Sequence, residues 1–361
     1  FNFDWSSDTI LRAKWRSQSP IGEDATEGIV YELSGNTYLV KSYSGSAATV
    51  NIPATYNNKS ITSIGEYAFS NNVILTNITL PSGITSIEKS AFFGCKGLTS
   101  FIVPSSITNI GDYAFYDCTG IKSIILYEGL TRIGFSAFHN CTGLTSIVLP
   151  KSLKNIEQDA FSGCTALTSI TIQSNITSIE NGTFNGCTSL ISIAIPNGVT
   201  KIGDGAFGNC TKLTTVALSI KPSVLTSIGN WAFQNCTSLT GITLPGSLQT
   251  IGEGVFYGCT GLASITIPGN VALISGWAFY GCTSLSQVDL PVSVTRIGNC
   301  SFQDCVYLKK IIIPQSVGGM GDSAFKGCTS LTIYCERSSD NVSWNPNWNI
   351  SNCPVVWDYV I

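Results

Sequence analysis

A pattern of apolar and polar positions returns every 23 residues along most of the chain. Its clearest copy is CTGLTSIVLPKSLKNIEQDAF, from Cys141 to Phe161. One step is longer, 26 residues from Phe207 to Phe233, because three residues are added near Ser219-Ile220-Lys221. A fixed short period predicts a solenoid, in which each coil buries its apolar side against its neighbours. The phenylalanine that closes the pattern recurs as Phe69, Phe92, Phe115, Phe138, Phe161, Phe184, Phe207, Phe233, Phe256, Phe279, Phe302 and Phe325.

Every copy of the pattern predicts the same short elements. From Leu144 to Pro150 the apolar residues have a period of two, which indicates a strand that ends at a proline unable to continue the ladder. A second apolar pair follows at Leu153 and Ile156, and a turn or single helical turn then places Ala160 and Phe161 in the core. We therefore expect a β-rich solenoid of about 12 coils.

The N-terminal residues depart from this pattern. Residues 1–18 do not fit it, and residues 19–53 contain two period-2 runs, Ile29 to Leu33 and Thr37 to Lys41, which predict a β-hairpin. We expect the hairpin, with a first strand of repeat type, to cap the solenoid, because the first coil would otherwise expose its core and its strand edge.

The C-terminal residues depart from it as well. The solenoid is expected to span residues 54–334 and to stop before residues 335–361. Three of the seven tryptophans, Trp344, Trp348 and Trp357, lie in this last segment. We expect it to form a C-terminal cap whose aromatic side chains cover the last coil.

Written out, the repeat is C-x-x-L-x-x-I-x-L-P-x-x-L/V-x-x-I-G-x-x-A-F. It resembles the BspA-like, or Treponema-type, class of leucine-rich repeats over residues 50–334, and the I-G-x-x-A-F element, as at residues 110–115, is specific to that class. The resemblance implies a leucine-rich-repeat solenoid that forms a right-handed, curved superhelix. It also implies secreted or surface-anchored bacterial proteins that adhere to host matrix proteins and to other cells. Three residues depart from this repeat: Tyr127 and Gln173 replace the strand-ending proline, and Ser275 replaces glycine. We expect these departures to change only local loops.

Residues 1–18 resemble the final strand of the Listeria/Bacteroides repeat, a small β module found in tandem on bacterial surface proteins. An arbitrary N-terminal strand explains the same residues equally well. If the resemblance holds, the chain is a piece of a longer surface protein. The matching residues are Phe1, Phe3, Thr9, Leu11, Ala13, Lys14 and Trp15.

Eleven of the 14 cysteines occupy one position of the repeat. Identical side chains on successive coils point in parallel, so we expect buried free thiols that act as small hydrophobic residues rather than disulfides. Cys335 and Cys353 bracket the non-repeating end, and a bridge between them is compatible with a secreted protein. The column is Cys95, Cys118, Cys141, Cys164, Cys187, Cys210, Cys236, Cys259, Cys282, Cys305 and Cys328.

Composition limits the chemistry that the chain offers. Only 11% of residues are charged and the net charge is −3, so a basic surface for nucleic acid or an anionic membrane is not expected. No apolar run approaches the roughly 20 residues that span a bilayer, so membrane insertion is not expected within the chain. The only histidine is His139, and no metal-ligand spacing or catalytic motif occurs. We therefore expect no catalytic residues, no metal, no cofactor and no enzymatic activity.

One candidate binding surface lies on the predicted strands. Ile102, Ile125 and Val148 occupy the same outward position in three successive coils, where most other coils have threonine or alanine. Three adjacent outward aliphatic residues indicate a contact surface. The alternative is the ordinary preference of strands for β-branched residues.

A second candidate lies in the turns beside phenylalanine. Trp231 and Trp277 occupy the same repeat position two coils apart with Gly254 between them, so they are expected to flank a slot roughly 10 Å wide. Tyr257 and Tyr280 are close to them in the pattern. Such a slot suits a sugar ring or a peptide. Alternatively, each ring covers the turn of its own coil.

These features favour a non-enzymatic, secreted or cell-surface protein that mediates adhesion by binding a host or extracellular-matrix protein. A carbohydrate-binding module that uses the tryptophan region is the alternative from another class, and a structural spacer within a larger surface protein is the third. We expect a monomer, although low charge and open ladder edges leave self-association open.

Overall fold

The chain forms a solenoid in which every coil runs along the same three sides. A computed structural model describes residues 25–173, 175–218, 223–339 and 342–360. The predicted remnant at residues 1–18 lies outside the described residues. On most coils, one side is a strand that a proline terminates, the second is a shorter strand, and the third is the turn that carries phenylalanine.

Parallel strands of three or four residues form the first side, which we call the strand face. Ser123 is opposite Ser100 and Ile125 is opposite Ile102, so equivalent residues of neighbouring coils are in register. The middle residue of each strand is buried and its two neighbours point outward. These strands are Thr49–Asn51, Asn77–Thr79, Ser100–Ile102, Ser123–Ile125, Ser146–Leu149, Ser169–Ile172, Ser192–Ala194, Thr215–Ala217, Ser264–Thr266, Gln287–Asp289, Lys310–Ile313 and Thr332–Cys335.

The strand face is interrupted in one coil. Residues 241–244, which follow the three-residue insertion, have no strand assignment, and Gly241 takes the place of the serine or threonine that opens most of the neighbouring strands. Glycine loses the most conformational freedom on ordering, which disfavours a strand there.

The second side is a ladder of mostly two-residue strands, also parallel and in register. Ile110 is opposite both Ile87 and Ile133, and all three are buried. The strands are Lys59–Ile64, Ser86–Ile87, Asn109–Ile110, Arg132–Ile133, Asn155–Ile156, Ser178–Ile179, Lys201–Ile202, Ser227–Ile228, Thr250–Ile251, Leu273–Ile274, Arg296–Ile297 and Gly319–Met320.

The third side is a stack of turns, which we call the turn edge. The turns pair as strands do: the Phe92 amide donates to the Ala114 carbonyl at 2.8 Å, and Gly94 donates to Tyr116 at 2.7 Å. The sequence predicts either a turn or a single helical turn for this segment, and the structure confirms the turn. Backbone hydrogen bonds between coils therefore run along all three sides.

The phenylalanines form a continuous stack inside the solenoid. All twelve are fully buried. Neighbouring rings have centroids 5.2–5.8 Å apart and lie within 17° of parallel. A buried phenylalanine truncated to alanine typically costs about 3–5 kcal/mol, so the stack is a principal source of stability for a coil that cannot fold alone.

The cysteine column is buried and free, as the sequence predicts. Each thiol also donates a hydrogen bond that the pattern did not indicate. Cys118 Sγ lies 3.0 Å from the Phe92 carbonyl oxygen of the preceding coil, and that oxygen also accepts the Cys95 amide at 3.1 Å. All eleven thiols make the equivalent contact, at 2.9–3.2 Å. Cysteine thus fills a small apolar space and satisfies a buried carbonyl.

Both ends of the stack carry atypical structure. At the N-terminus, Ile29–Ser34 and Thr37–Tyr43 form an antiparallel hairpin whose second strand pairs in parallel with Lys59–Ile64. The strand Thr55–Tyr56 turns back on Lys59–Ser60, so the long loop of the first coil is a small hairpin of its own. The hairpins cover the apolar residues at this end.

At the C-terminus, Val355–Val356 adds a last strand beside Thr332–Cys335. The Trp344 ring contacts Trp348 and Trp357 with centroids 5.1 and 5.7 Å away, and Trp348 meets the last phenylalanine of the stack, Phe325, at 6.0 Å. These rings close the apolar interior.

Burial raises the pKa of the column thiols from Cys95 to Cys305, to about 12 for Cys95, Cys164, Cys210 and Cys259. Since the folded pKa exceeds the unfolded one, the contribution to stability is complete below the unfolded pKa and is lost as pH rises toward 12. The loss reaches about 1.4 kcal/mol per thiol for each pH unit above the unfolded pKa.

We therefore predict that, in the presence of reductant, the urea midpoint of unfolding falls steeply between pH 7.5 and 9.5. Lysine and tyrosine titrate mostly above this window. A variant with Cys141, Cys187 and Cys236 changed to alanine should be less stable at pH 7.5 but lose less stability across the window. Identical midpoints at both pH values would contradict the assignment.

Candidate binding surfaces

The three aliphatic residues predicted on the strand face lie side by side and exposed. Ile125 is directly opposite Ile102, and Val148 follows on the next strand, whose Ser146 is opposite Ser123. Ile102, Ile125 and Val148 are 56%, 46% and 58% exposed. Their neighbours within each strand are buried, so alternation directs these side chains outward. They form what we call the aliphatic strip.

Tyr127 enlarges this strip, and the sequence interpretation missed it. It stands where other coils have the strand-ending proline, two residues after Ile125, and it is 46% exposed. From the sequence, this departure from proline predicts only a local loop change. The strip and Tyr127 can together provide apolar contact area with an aromatic side chain, a composition enriched at the cores of protein interfaces.

A cavity of about 570 Å³ lies at the other end of the strand face. Its walls combine apolar groups, Val292 and Ile312, with charged groups, Asp289 and Lys310. The Lys310 ammonium lies 4.8 Å from the centre of the Tyr334 ring and 5.0 Å from that of Tyr359. The strand face thus changes from an uncharged aliphatic surface to a mixed one along the solenoid.

The predicted slot between Trp231 and Trp277 is closed, so that prediction is wrong. The two rings have centroids only 6.5 Å apart, and the Trp231 ring lies over Gly254, where an added Cβ would be 2.2 Å from it. Tyr257 packs edge-on against Trp231 at 5.5 Å and stacks on Tyr280 at 4.7 Å. Because Gly254 has no side chain, Trp231 leans across it. The four rings form a continuous aromatic cluster instead of two walls.

A second group of rings occupies the turn edge in the early coils. Phe93, Tyr116 and His139 stack in that order, with centroids 5.1 and 4.7 Å apart. Burial lowers the pKa of His139, and its Nδ1 atom is buried without a hydrogen-bond partner among the described residues. The lowered pKa keeps the imidazole neutral at pH 7, and the ring is held between coils by stacking on Tyr116.

The sequence is compatible with a disulfide between Cys335 and Cys353, but both residues are free thiols in the structure. Ile333 is opposite Val355, which places Cys353 four residues away from the position opposite Cys335. Four residues of a strand span about 13 Å, whereas a disulfide needs Cα atoms within about 7 Å. Cys353 Sγ instead lies 3.4 Å from the Cys328 carbonyl oxygen, which continues the thiol column.

Among the described residues, no group of three or more histidine, cysteine, aspartate or glutamate side chains is placed to hold a metal ion. The part of the chain that the structure describes also has no helix long and apolar enough to cross a membrane.

The repeat pattern described as BspA type leucine rich repeat region matches the chain in six copies, over residues 42–165, 110–224 and 219–332. The chain belongs to the BspA-type leucine-rich-repeat family. The fold class predicted from the 23-residue pattern, a β-rich leucine-rich-repeat solenoid, is thereby confirmed. No protein with a curated description is similar to this chain in sequence.

Solved structures of leucine-rich-repeat proteins from bacteria are similar to this BspA-type chain. One from Bacteroides ovatus is 30% identical, with 89% of this chain and 90% of that chain covered and a TM-score of 0.74. A leucine rich cell surface protein from Faecalibacterium prausnitzii is 28% identical, with 90% and 97% covered and a TM-score of 0.60. A leucine rich repeat protein from T. pallidum is 28% identical, with 52% and 89% covered and a TM-score of 0.50.

The free thiols make a prediction about labelling. Cys300 is the cysteine with partial exposure, while the other thirteen are buried with carbonyl partners or packed surroundings. We expect iodoacetamide at pH 8 to label Cys300 first in the folded protein and to label the cysteine column only after unfolding. Peptide mass spectrometry identifies the labelled cysteines. The protein should have its fully reduced mass without added reductant.

Cys300→Ser is the matched control, because serine occupies the same repeat position in other coils with the same left-handed backbone. Folded Cys300→Ser should take up no label on the same time scale. A native protein that lacks labelling at Cys335 and Cys353 even after unfolding would instead reveal the bridge.

Proposed function

We propose that this BspA-type protein is a non-enzymatic, secreted or cell-surface protein that mediates adhesion by binding a host or extracellular-matrix protein. The proposal also takes the chain to act as a monomer. A leucine-rich-repeat solenoid is a scaffold for protein interaction, and its function depends on the side chains exposed on its sides. The similar protein from F. prausnitzii is described as a cell surface protein, which supports this location.

The aliphatic strip is the observation that carries the proposal. Ile102, Ile125 and Val148 are each about half exposed on adjacent strands, with Tyr127 beside them. Solvent-exposed apolar side chains that are contiguous indicate an interaction site, whereas single ones need no explanation. The equivalent positions on neighbouring strands, Thr79 and Thr171, return to threonine, so the strip is a local feature and not a requirement of the coil.

The rigidity of the strip favours binding. Its strands pair in register with each other, and their backbone groups are occupied in that pairing, so a partner docks onto side chains held at fixed spacing. Preorganised side chains lose little conformational freedom on binding. The surroundings are hydroxyl-rich and nearly uncharged, which suits the hydrogen-bonding rim of a protein interface.

A second candidate function, carbohydrate binding, is favoured by the aromatic side chains on the turn edge. Trp231, Trp277, Tyr257 and Tyr280 form one partly exposed cluster. Aromatic faces stack on sugar rings without needing charge. Because the cluster has no slot, it offers a platform for the face of a sugar rather than a site that encloses one.

The strip is tested by charge insertion. We predict that the protein binds at least one extracellular-matrix protein from a panel in biolayer interferometry, and that Ile125→Lys weakens this binding at least tenfold, which is about 1.4 kcal/mol. Burying an unpaired ammonium at the centre of an apolar interface is the physical reason. The outward position should leave the unfolding midpoint close to wild type.

Thr266→Lys is the control, since it introduces the same charge at the same repeat position on the far strands, where the residue is also exposed. Its binding should equal that of the wild type. Unchanged binding by Ile125→Lys, or no binding to any matrix protein, would remove the strip as the adhesive site. If Trp231→Ala loses binding while Ile125→Lys keeps it, the adhesive site lies on the turn edge.

A further inference from the structure

One repeat position on the turn edge combines a left-handed backbone with bulky side chains. The residue two before each phenylalanine has a positive φ in all twelve coils. Glycine adopts this conformation freely, while an aromatic residue is rare there and costs of the order of 1–2 kcal/mol. The residues at this position are Tyr67, Ser90, Tyr113, Ser136, Asp159, Gly182, Gly205, Trp231, Gly254, Trp277, Cys300 and Ser323.

The fold does not require the aromatic residues at this position. Coils with Gly182, Gly205 and Gly254 stack as the others do, and their backbone is the one that glycine prefers. Tyr67 has a φ of 57° and is 54% exposed, so burial of its ring does not offset the backbone strain. A strained residue that its own fold does not need is a reason to look for a ligand.

The strained tyrosines Tyr67 and Tyr113 bound a cavity. Both line a space of about 460 Å³, with Ser90 of the intervening coil between them and Phe93 beside it. Equivalent positions two coils apart are separated by about 10 Å, which leaves room for one ring at roughly 4 Å from each wall. The aromatic-walled slot expected at Trp231 and Trp277 is thus found near the N-terminus, where sequence reasoning did not place it.

This slot stays open because of where Tyr113 packs. Its ring contacts Phe135 of the following coil, on the side away from Tyr67, at 5.2 Å, and Tyr116 of its own coil at 5.9 Å. At the other site Trp231 crosses the intervening glycine and meets Trp277. Ser90 has a side chain where Gly254 has none, so the equivalent crossing is obstructed.

The floor and margins of the slot are polar. Ser90 is only 3% exposed as a residue, and its hydroxyl makes no hydrogen bond to another described residue but stays accessible at the surface of the slot. Ser70, Asn71 and Lys89 also line the slot, and Lys89 forms no ion pair within the described part of the chain. Aromatic walls with hydroxyl, amide and ammonium groups between them match a ring that carries hydroxyls.

We propose that the slot bounded by Tyr67, Ser90 and Tyr113 binds a pyranose ring of a glycan. The ring lies between the two tyrosine faces, and its hydroxyls pair with Ser90 and with Asn71 and Lys89 at the margins. An aromatic side chain of a protein partner would fit the walls but leave the serine unpaired, so it matches the slot less well. This site gives the carbohydrate-binding candidate a place of its own, apart from the strand face and from Trp231.

Substitution with glycine tests the site, because it removes the ring and relieves the backbone at once. A panel of methyl pyranosides of glucose, galactose, mannose, N-acetylglucosamine and glucuronic acid is measured by saturation-transfer NMR and isothermal calorimetry. We expect at least one to bind, and Tyr67→Gly to weaken it at least tenfold with an unfolding midpoint equal to or above that of wild type. Ser90→Gly, which removes only the hydroxyl, should weaken binding while both walls remain.

Asp159→Gly is the matched control, since it makes the same backbone change at the same repeat position outside the slot. It should bind as wild type does, and so should Ile125→Lys, which separates this site from the strand face. The proposal is overturned by no pyranoside binding, by unchanged binding of Tyr67→Gly, or by a stability loss in that variant. It is overturned too if N-acetyltyrosinamide binds the slot while no pyranoside does.

Discussion

Repetition of the same contact at the spacing between coils is the constraint on which the structure depends. A coil of 23 residues has too few apolar side chains to fold alone, so the stabilising contacts are made between coils and are repeated from each coil to the next. The phenylalanine rings stack on one another and the cysteine thiols donate to the phenylalanine carbonyls of the preceding coil. Cysteine is suited to this position because it is small, apolar and still a donor, and its burial raises its pKa and protects it from reaction.

The same constraint divides the chain into inner positions that must repeat and outer positions that need not. Outward residues of the strand face and of the turn edge have no partner imposed by the stack, so their identity is open to selection for binding. The aliphatic strip, the aromatic cluster around Trp231 and the slot beside Tyr67 all lie at such positions. The strip lies on the strand face, whereas the aromatic cluster and the slot lie on the turn edge, so the proposed protein and glycan sites do not overlap.

The turn edge shows how one backbone conformation can produce different surfaces. The left-handed residue before phenylalanine projects its side chain toward the adjacent coil, and the outcome depends on what that coil presents. Where the adjacent coil presents Gly254, the Trp231 ring leans across it and closes the gap to Trp277. Where the intervening residue is Ser90 and Tyr113 packs against Phe135, the gap between Tyr67 and Tyr113 stays open. The presence or absence of one small side chain in the intervening coil, serine or glycine, thus separates the open slot beside Tyr67 from the closed aromatic cluster around Trp231.

The sequence by itself determined the period, the strands, the buried faces and the unpaired thiol column, because these follow from which positions are apolar and how often they return. It also identified Ile102, Ile125 and Val148 as outward, since alternation in a strand leaves one choice. Only the tertiary structure decided how side chains of different coils meet. The register of the last strand separates Cys335 from Cys353, Tyr127 joins the strip, and Trp231 crosses Gly254 while Tyr67 and Tyr113 stay apart. A repeat pattern gives the position of each residue in its coil, but the direction of a side chain toward its neighbour depends on packing that the pattern does not contain.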